Sequence, residues 1–128
     1  MPETEKITIN MSAVDLGKID LLVQEGLYSN RTDFIRTGIR NLLDKHVLEI
    51  QQSVARHSFG IGIFSYSRKD LEGMQSRKEK IAVNVIGMLN LADDISAELA
   101  EAVIESVRVR GIFLANEEVK AILSNRMN

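Results

Sequence analysis

The sequence predicts an α+β protein, in which one strand and two helices precede a small α/β domain of about three strand–turn–helix units. The first part is predicted by polar and apolar side chains that alternate over residues 6–11 and then recur at helical spacing. The second part is predicted by three strand-like apolar runs, each of which reaches a glycine before a polar turn and a helical pattern. We therefore divide the chain into residues 1–50, a hinge at residues 51–58 and residues 59–128.

Composition excludes several classes of protein. The chain has 128 residues, of which 45% are hydrophobic and 27% are charged, and these values are typical of a folded chain. It contains no cysteine, so disulfides, thiolate nucleophiles and cysteine-ligated metals are excluded. The polar, acidic start is unlike a signal peptide, and the longest mostly apolar stretch, residues 81–92, is too short to span a membrane. We expect a cytoplasmic protein that does not contact a membrane.

Neither the net charge nor a catalytic motif identifies a function. The formal net charge is −2, so a nucleic-acid site would have to be a local patch that the fold assembles. The acidic pair Asp93–Asp94 has no nucleophile or metal cluster beside it in the sequence, and we interpret it as a turn or a helix cap. The chain has two histidines, His46 and His57, which are too few for a metal site. We expect no enzyme activity, no metal and no cofactor.

Local signals place the N-terminal helices. Ser12 follows the alternating segment and predicts an N-cap for a first helix over residues 13–25. Gly26 lies where a left-handed residue ends such a helix. Ser29 predicts the N-cap of a second helix, which runs over residues 31–47 or beyond.

The predicted strand, residues 6–11, has no partner strand in the first 58 residues. A lone strand leaves backbone N–H and C=O groups unpaired, and a strand with two helices makes too small a core to fold alone. A symmetric dimer removes both problems, because the same strand from two chains can pair antiparallel beneath the helices. The predicted dimer core consists of Ile7, Ile9, Met11, Phe34, Ile35 and Ile39. The polar face of such a two-stranded ribbon fits the major groove of DNA.

Three segments carry a resemblance to a known family. They are the strand KITINMS at residues 6–12, the turn GLYSNRT at residues 26–32 and the helix opening DFIRTGIR at residues 33–40. Together, residues 5–46 resemble the ribbon-helix-helix domain of the MetJ/Arc superfamily, in its CopG-like branch. The sequence departs from the usual pattern at Asp33, where the family has glutamate, and at Gly38, where it has alanine. The resemblance implies an intertwined homodimer that binds double-stranded DNA.

The resemblance also implies which side chains contact DNA. The family's base-reading positions correspond to Lys6, Thr8 and Asn10. Lysine can donate to guanine, asparagine can pair with adenine, and threonine can place its methyl group against that of thymine. Phosphate contacts are expected at the start of the second helix, where backbone N–H groups and the helix dipole attract anions. These residues are Ser29, Asn30 and Arg31.

Residues 59–128 are predicted to fold as an independent unit that serves oligomerisation or effector binding. The architecture is similar to that of nickel-responsive regulators, but the histidines and the cysteine of their metal site are missing. Candidate roles are therefore contact between dimers, giving a tetramer, or binding of a small-molecule effector. The residues expected to be buried in this unit are Ile63, Phe64, Val85, Leu89, Val103, Ile112 and Phe113.

The predicted function is that of a sequence-specific, homodimeric DNA-binding transcriptional regulator, more specifically a repressor that occupies an operator. Three alternatives remain open from the sequence. The first is an antitoxin that represses its own genes and binds a toxin through its C-terminal half. The second is an accessory protein of plasmid transfer. The third is an interaction or scaffold protein that acts through residues 59–128.

Overall fold

Three helices precede three strand–helix pairs in the structure, a computed structural model that describes residues 3–127. The helices are α1 (Ala13–Gln24), α2 (Arg31–Lys45) and α3 (Val47–His57). The pairs are β1 (Gly60–Tyr66) with α4 (Arg68–Ser76), β2 (Ile81–Leu91) with α5 (Ala97–Val103), and β3 (Ile104–Leu114) with α6 (Glu117–Leu123). Contacts divide the chain into an N-terminal unit, Lys6–Ser53, and a C-terminal unit that runs from Val54 onward and also includes residues 3–5.

The caps of α1 and α2 explain where these helices begin and end. The Ser12 hydroxyl accepts a hydrogen bond from the Asp15 amide at 3.1 Å, which confirms the predicted N-cap. Gly26 has φ +86°, the left-handed conformation that ends a helix. The N-cap of α2 is Asn30 and not Ser29 as predicted, because the side-chain Oδ1 of Asn30 accepts a hydrogen bond from the Asp33 amide at 2.7 Å.

Most of the segment predicted as a hinge is helical. Residues 51–57 belong to α3, which follows α2 after a break at His46. The segment contains neither glycine nor proline, and the apolar side chains of α3 at Val47, Ile50 and Val54 recur at helical spacing. The chain leaves the helix at Ser58, whose φ of +54° is left-handed. Residues 51–57 are thus helical, since polar composition alone does not stop a helix.

The C-terminal unit is a three-stranded parallel sheet in the order β1-β2-β3. Each strand is followed by a helix, which confirms the three strand–turn–helix units that the sequence predicts. Since connections between neighbouring parallel strands are right-handed, α4 and α5 pack on the same face of the sheet, and α6 packs beside α5. Their buried side chains form one cluster with those of the strands, in which Leu71, Leu89 and Val103 are completely inaccessible.

The predicted core of this unit is confirmed in part. Val85, Leu89 and Val103 are buried, and Phe64 and Phe113 pack against the cluster while partly exposed. Ile112 is half-buried. Ile63 was predicted to be buried and is 51% exposed. The side chains of a strand alternate between faces, so Ile63 lies on the opposite side of β1 from Phe64 and away from the helices.

The glycines of the three repeated units lie side by side in the sheet. Gly62 pairs with Gly87, which in turn pairs with Gly111. All three have a positive φ, between +128° and +143°. A Cβ atom on Gly87 would lie 2.1 Å from the carbonyl oxygen of Gly62, and one on Gly111 would lie 2.0 Å from that of Gly87. Only glycine fits at these two positions, because a methyl group there would overlap the neighbouring backbone.

Candidate nucleic-acid interface

The predicted DNA-reading segment, residues 6–11, precedes α1 and is assigned to neither a helix nor a strand. Within the described residues it has no hydrogen-bonded strand partner. Lys6, Thr8 and Asn10 are all exposed. The apolar residues between them are exposed as well, Ile7 by 79% and Ile9 by 63%. Isoleucine side chains with this exposure leave the apolar face of the segment uncovered in one chain.

The helices of the N-terminal unit also leave most of their apolar side chains exposed. Among the described residues of this unit, only Ile19 is fully buried, with 3% of its surface exposed. Of the remaining residues of the predicted dimer core, Met11, Phe34 and Ile35 are half-buried and Ile39 is exposed. Further large apolar side chains are exposed along α1 and α2: Val14, Leu21, Leu42 and Leu43. One chain of this unit therefore lacks a core of its own.

An apolar depression of about 350 Å³ opens between Met11, at the end of this segment, and the two helices. Its walls are formed largely by Met11, Ile19, Leu22 and Phe34. The ring of Phe34 is held in place by Tyr28, whose ring meets it edge to face at 5.0 Å between centroids. Two residues of the predicted dimer core, Met11 and Phe34, thus line the depression, and it has room for apolar side chains from outside the chain.

Capping interactions organise the start of α2. The Asp33 carboxylate accepts a hydrogen bond from the Ser29 amide at 2.9 Å, while the Asn30 side chain accepts from the Asp33 amide. The first hydrogen bond within the helix runs from the Phe34 amide to the Asn30 carbonyl oxygen at 3.2 Å. The amides of Arg31 and Thr32 precede this bond, so they are the N–H groups that an anion at the helix N-terminus would meet.

Arg31 makes an ion pair that the sequence did not indicate. Its guanidinium donates two hydrogen bonds to the Asp20 carboxylate, each 2.8 Å long. This pair joins α1 to the first turn of α2, and both side chains are about half-exposed. The hydrogen bond from Arg31 lowers the pKa of Asp20 below its ordinary value, and that from Asp20 raises the pKa of Arg31. No sequence pattern relates these two residues, because their contact depends on how the helices cross.

The remaining polar candidates have structural partners. His46 caps α2 and lies 3.7 Å from the Glu49 carboxylate, while His57 contacts Arg108 at 3.3 Å. Over residues 3–127, no group of three or more histidine or acidic side chains is arranged to hold a metal ion. Asp93 and Asp94 form the turn between β2 and α5, as the sequence predicts. Among the described residues, the side chains predicted to contact DNA therefore all belong to the N-terminal unit.

Comparison with known proteins assigns the chain to a family. The profile of the ribbon-helix-helix transcriptional regulator family matches residues 2–120, which is most of the chain. The chain therefore belongs to the ribbon-helix-helix family of DNA-binding transcriptional regulators. No curated protein and no solved structure matches it. Separately, none of the helices within residues 3–127 is long and apolar enough to cross a membrane.

The family match extends beyond the segments that suggested it. The resemblance seen in the sequence covered residues 5–46, whereas the family profile continues through β1, β2 and β3 into α6. The C-terminal unit is thus part of what defines the family, and not an unrelated addition. Regulators of this family bind DNA and usually form dimers.

Proposed function

We propose that the chain is a homodimeric, sequence-specific repressor that inserts a two-stranded ribbon, made of residues 6–11 from two chains, into the major groove of its operator. The observation that carries this proposal is the exposure of Ile7 and Ile9 beside two helices that bury only Ile19 between them, among the described residues. Antiparallel pairing of two such segments satisfies their backbone groups and places four helices over the apolar face.

The ribbon would present its polar face to DNA. If Ile7 and Ile9 turn toward the helices, the alternation of side chains along a strand turns Lys6, Thr8 and Asn10 to the other face. Each of these three side chains is exposed in the single chain, so none has to leave a protein contact to reach a base. A homodimer carries each of them twice, and its site is expected to be an inverted repeat.

Phosphate binding at the start of α2 would position the ribbon. The amides of Arg31 and Thr32 point out of the helix N-terminus, where the helix dipole favours an anion. Ser29, Asn30 and Arg31 lie together there, but the Asp33 carboxylate already occupies part of the positive region. The guanidinium of Arg31 would have to share its two hydrogen bonds with Asp20 when it contacts a phosphate.

The folded C-terminal unit favours a regulator over an antitoxin. Toxin-binding tails are short and gain structure on binding, whereas the residues after Val54 form a sheet with a continuous buried cluster. Such a unit is suited to joining dimers or to binding an effector, and we assign it one of these two roles.

Asn10→Ala tests whether the ribbon reads bases. A duplex is first selected from a random pool by the wild-type chain, and affinity is then compared on this duplex and on random DNA at one salt concentration. Loss of a pairing with adenine should weaken binding to the selected duplex by about 1–3 kcal/mol and leave binding to random DNA nearly unchanged.

Gln24→Ala serves as a matched control, because Gln24 is an exposed polar residue at the end of α1, away from the ribbon segment in the sequence. It should bind both duplexes like the wild type. An equal loss on both duplexes for Asn10→Ala, or no loss on either, would show that the ribbon does not read sequence.

A further inference from the structure

The outer edge of β1 is unprotected. β1 is an edge strand that pairs only with β2 among the described residues, so the backbone groups along its other side face outward. Its sequence, GIGIFSY, contains no charged residue and no proline, the two features with which proteins usually keep a sheet edge from pairing. Two of its apolar side chains are also exposed, Ile61 by 64% and Ile63 by 51%.

The opposite edge of the same sheet is protected. β3 carries charged side chains at Glu105, Arg108 and Arg110. Met127, near the end of the chain, forms a parallel bridge with Val107 and so occupies part of that edge. One edge of this sheet is therefore protected and the other is not, so the lack of protection is specific to β1.

Symmetry and the charges on β3 restrict which strand can pair with the outer edge of β1. Addition of β1 to the β3 edge of another copy would be a head-to-tail contact, which does not close and would meet the charges and Met127 on β3. Antiparallel addition of β1 to another β1 is symmetric and closes after two chains. With the axis at Ile63, the middle of the strand, Ile61 of each chain lies opposite Ser65 of the other.

We infer that β1 is an interface between two copies of this chain, which pair antiparallel and join their sheets into one of six strands. Residues directly opposite in an antiparallel pair point to the same face. The exposed Ile61 and Ile63 side chains of both copies therefore meet on the face away from the helices and cover one another. The ribbon dimer raises the local concentration of β1 edges, and in this respect the inference rests on the proposed function.

Single cysteines in the full-length chain test this interface, because the natural sequence contains none. Ile61→Cys, Ile63→Cys and Ser65→Cys are each treated with a mild oxidant or a short bis-maleimide and analysed on a denaturing gel. We expect covalent dimers, with Ile63→Cys the most efficient because it faces itself across the axis. Met127→Cys, which is partly exposed at the other edge, is the matched control and should remain mostly uncrosslinked.

A charge on the edge should abolish the crosslink. Ser65→Lys in the Ile63→Cys background places a lysine at an exposed position, where it opposes pairing without disturbing the core. Circular dichroism verifies that each variant is folded. If the three cysteine variants crosslink no more than Met127→Cys, or if Ser65→Lys leaves the crosslink unchanged, β1 is not an interface.

Separate experiments can contradict the proposed function and the β1 interface. Asn10→Ala acts on DNA recognition and should leave the crosslinking of Ile63→Cys as it is. Conversely, Ser65→Lys should leave binding to a single selected duplex as it is, because it lies outside the N-terminal unit. If Ile63→Cys, with Ser65 intact, recognises DNA normally but does not crosslink, the β1 interface alone is overturned.

Discussion

Arg31 combines an expected role with an unexpected partner. The sequence predicts that it binds a phosphate, and the structure places its guanidinium on Asp20 with two hydrogen bonds of 2.8 Å. An ion pair between side chains this exposed contributes little to stability. The ion pair instead fixes the position of the Arg31 guanidinium, which Asp20 of α1 holds close to the start of α2.

If Arg31 binds phosphate, Arg31→Ala should weaken binding to specific and random duplexes by the same factor. A phosphate contact carries no sequence information, so discrimination between the duplexes should not change. The slope of log affinity against log salt should fall by about two for a dimer, one for each lost contact. Titrations at several salt concentrations measure both quantities.

The partner residue supplies a check of this interpretation. Asp20→Asn removes a negative charge beside Arg31, and it should strengthen binding to both duplexes. Glu98→Gln makes the same change in charge at an exposed position of α5, in the C-terminal unit, and should have a smaller effect. Equal effects of the two variants would mean that only net charge matters and that Arg31 has no special position.

At the scale of elements, the row Gly62, Gly87 and Gly111 sets the geometry of the sheet. The three strands share one register at these glycines and one unusual backbone conformation. Repetition of a glycine before each polar turn is visible in the sequence, but its reason is not. The structure supplies it, since each glycine after the first avoids a collision with the carbonyl oxygen of the strand beside it.

Gly87→Ala should destabilise the C-terminal unit by more than about 2 kcal/mol. The new methyl group would overlap Gly62, and alanine would have to adopt the left-handed backbone of this position, which strains any residue with a side chain. Gly73→Ala in α4 is the matched control. Its new Cβ atom would contact only the exposed end of the Arg77 side chain, so it should stabilise the unit by about 0.5–1 kcal/mol. Chemical denaturation measures both, and a mild effect of Gly87→Ala would contradict the importance of this row.

At the scale of the whole molecule, the two units differ in whether one chain suffices. The C-terminal unit buries a continuous cluster of side chains by itself. The N-terminal unit buries only Ile19 among its described residues and exposes most of the apolar positions that its sequence pattern marks as a core. One chain therefore has a complete core in its C-terminal unit and an uncovered apolar surface in its N-terminal unit.

The melting of the N-terminal unit should accordingly depend on protein concentration. Dissociation and unfolding are coupled when the core forms between two chains, so the lower thermal midpoint of the full-length protein should rise as concentration increases. Calorimetry over a range of about a hundredfold in protein concentration measures this shift of the midpoint. Ile9→Lys, which charges the apolar face of the ribbon, should lower this midpoint and leave that of the C-terminal unit unchanged.

A midpoint that does not change with concentration, together with a monomeric mass in sedimentation, would contradict the dimer. It would also remove the physical reason for pairing two ribbon segments, since the unit would then be shown to fold alone.

Signals between near neighbours in the chain were sufficient for most elements. The Ser12 cap, the left-handed Gly26 and the three strand–helix units follow from patterns within about ten residues, where backbone conformation and helix propensity act locally. The family was recognisable from residues 5–46 for the same reason, because its turn and helix opening form a local motif.

The tertiary structure decided what depends on residues far apart in the chain. Ile63 follows the pattern of a buried strand residue, yet its exposure is set by the helices all packing on the other face of the sheet. Arg31 and Asp20 meet because two helices cross there, and Asn30 caps α2 because its backbone is extended while its side chain reaches the Asp33 amide. The sequence by itself determined most of the helices, strands and turns, and to which family the chain is similar. Only the fold decided which apolar faces are covered within one chain and which remain exposed, since burial depends on what packs against a residue and not on its neighbours in sequence.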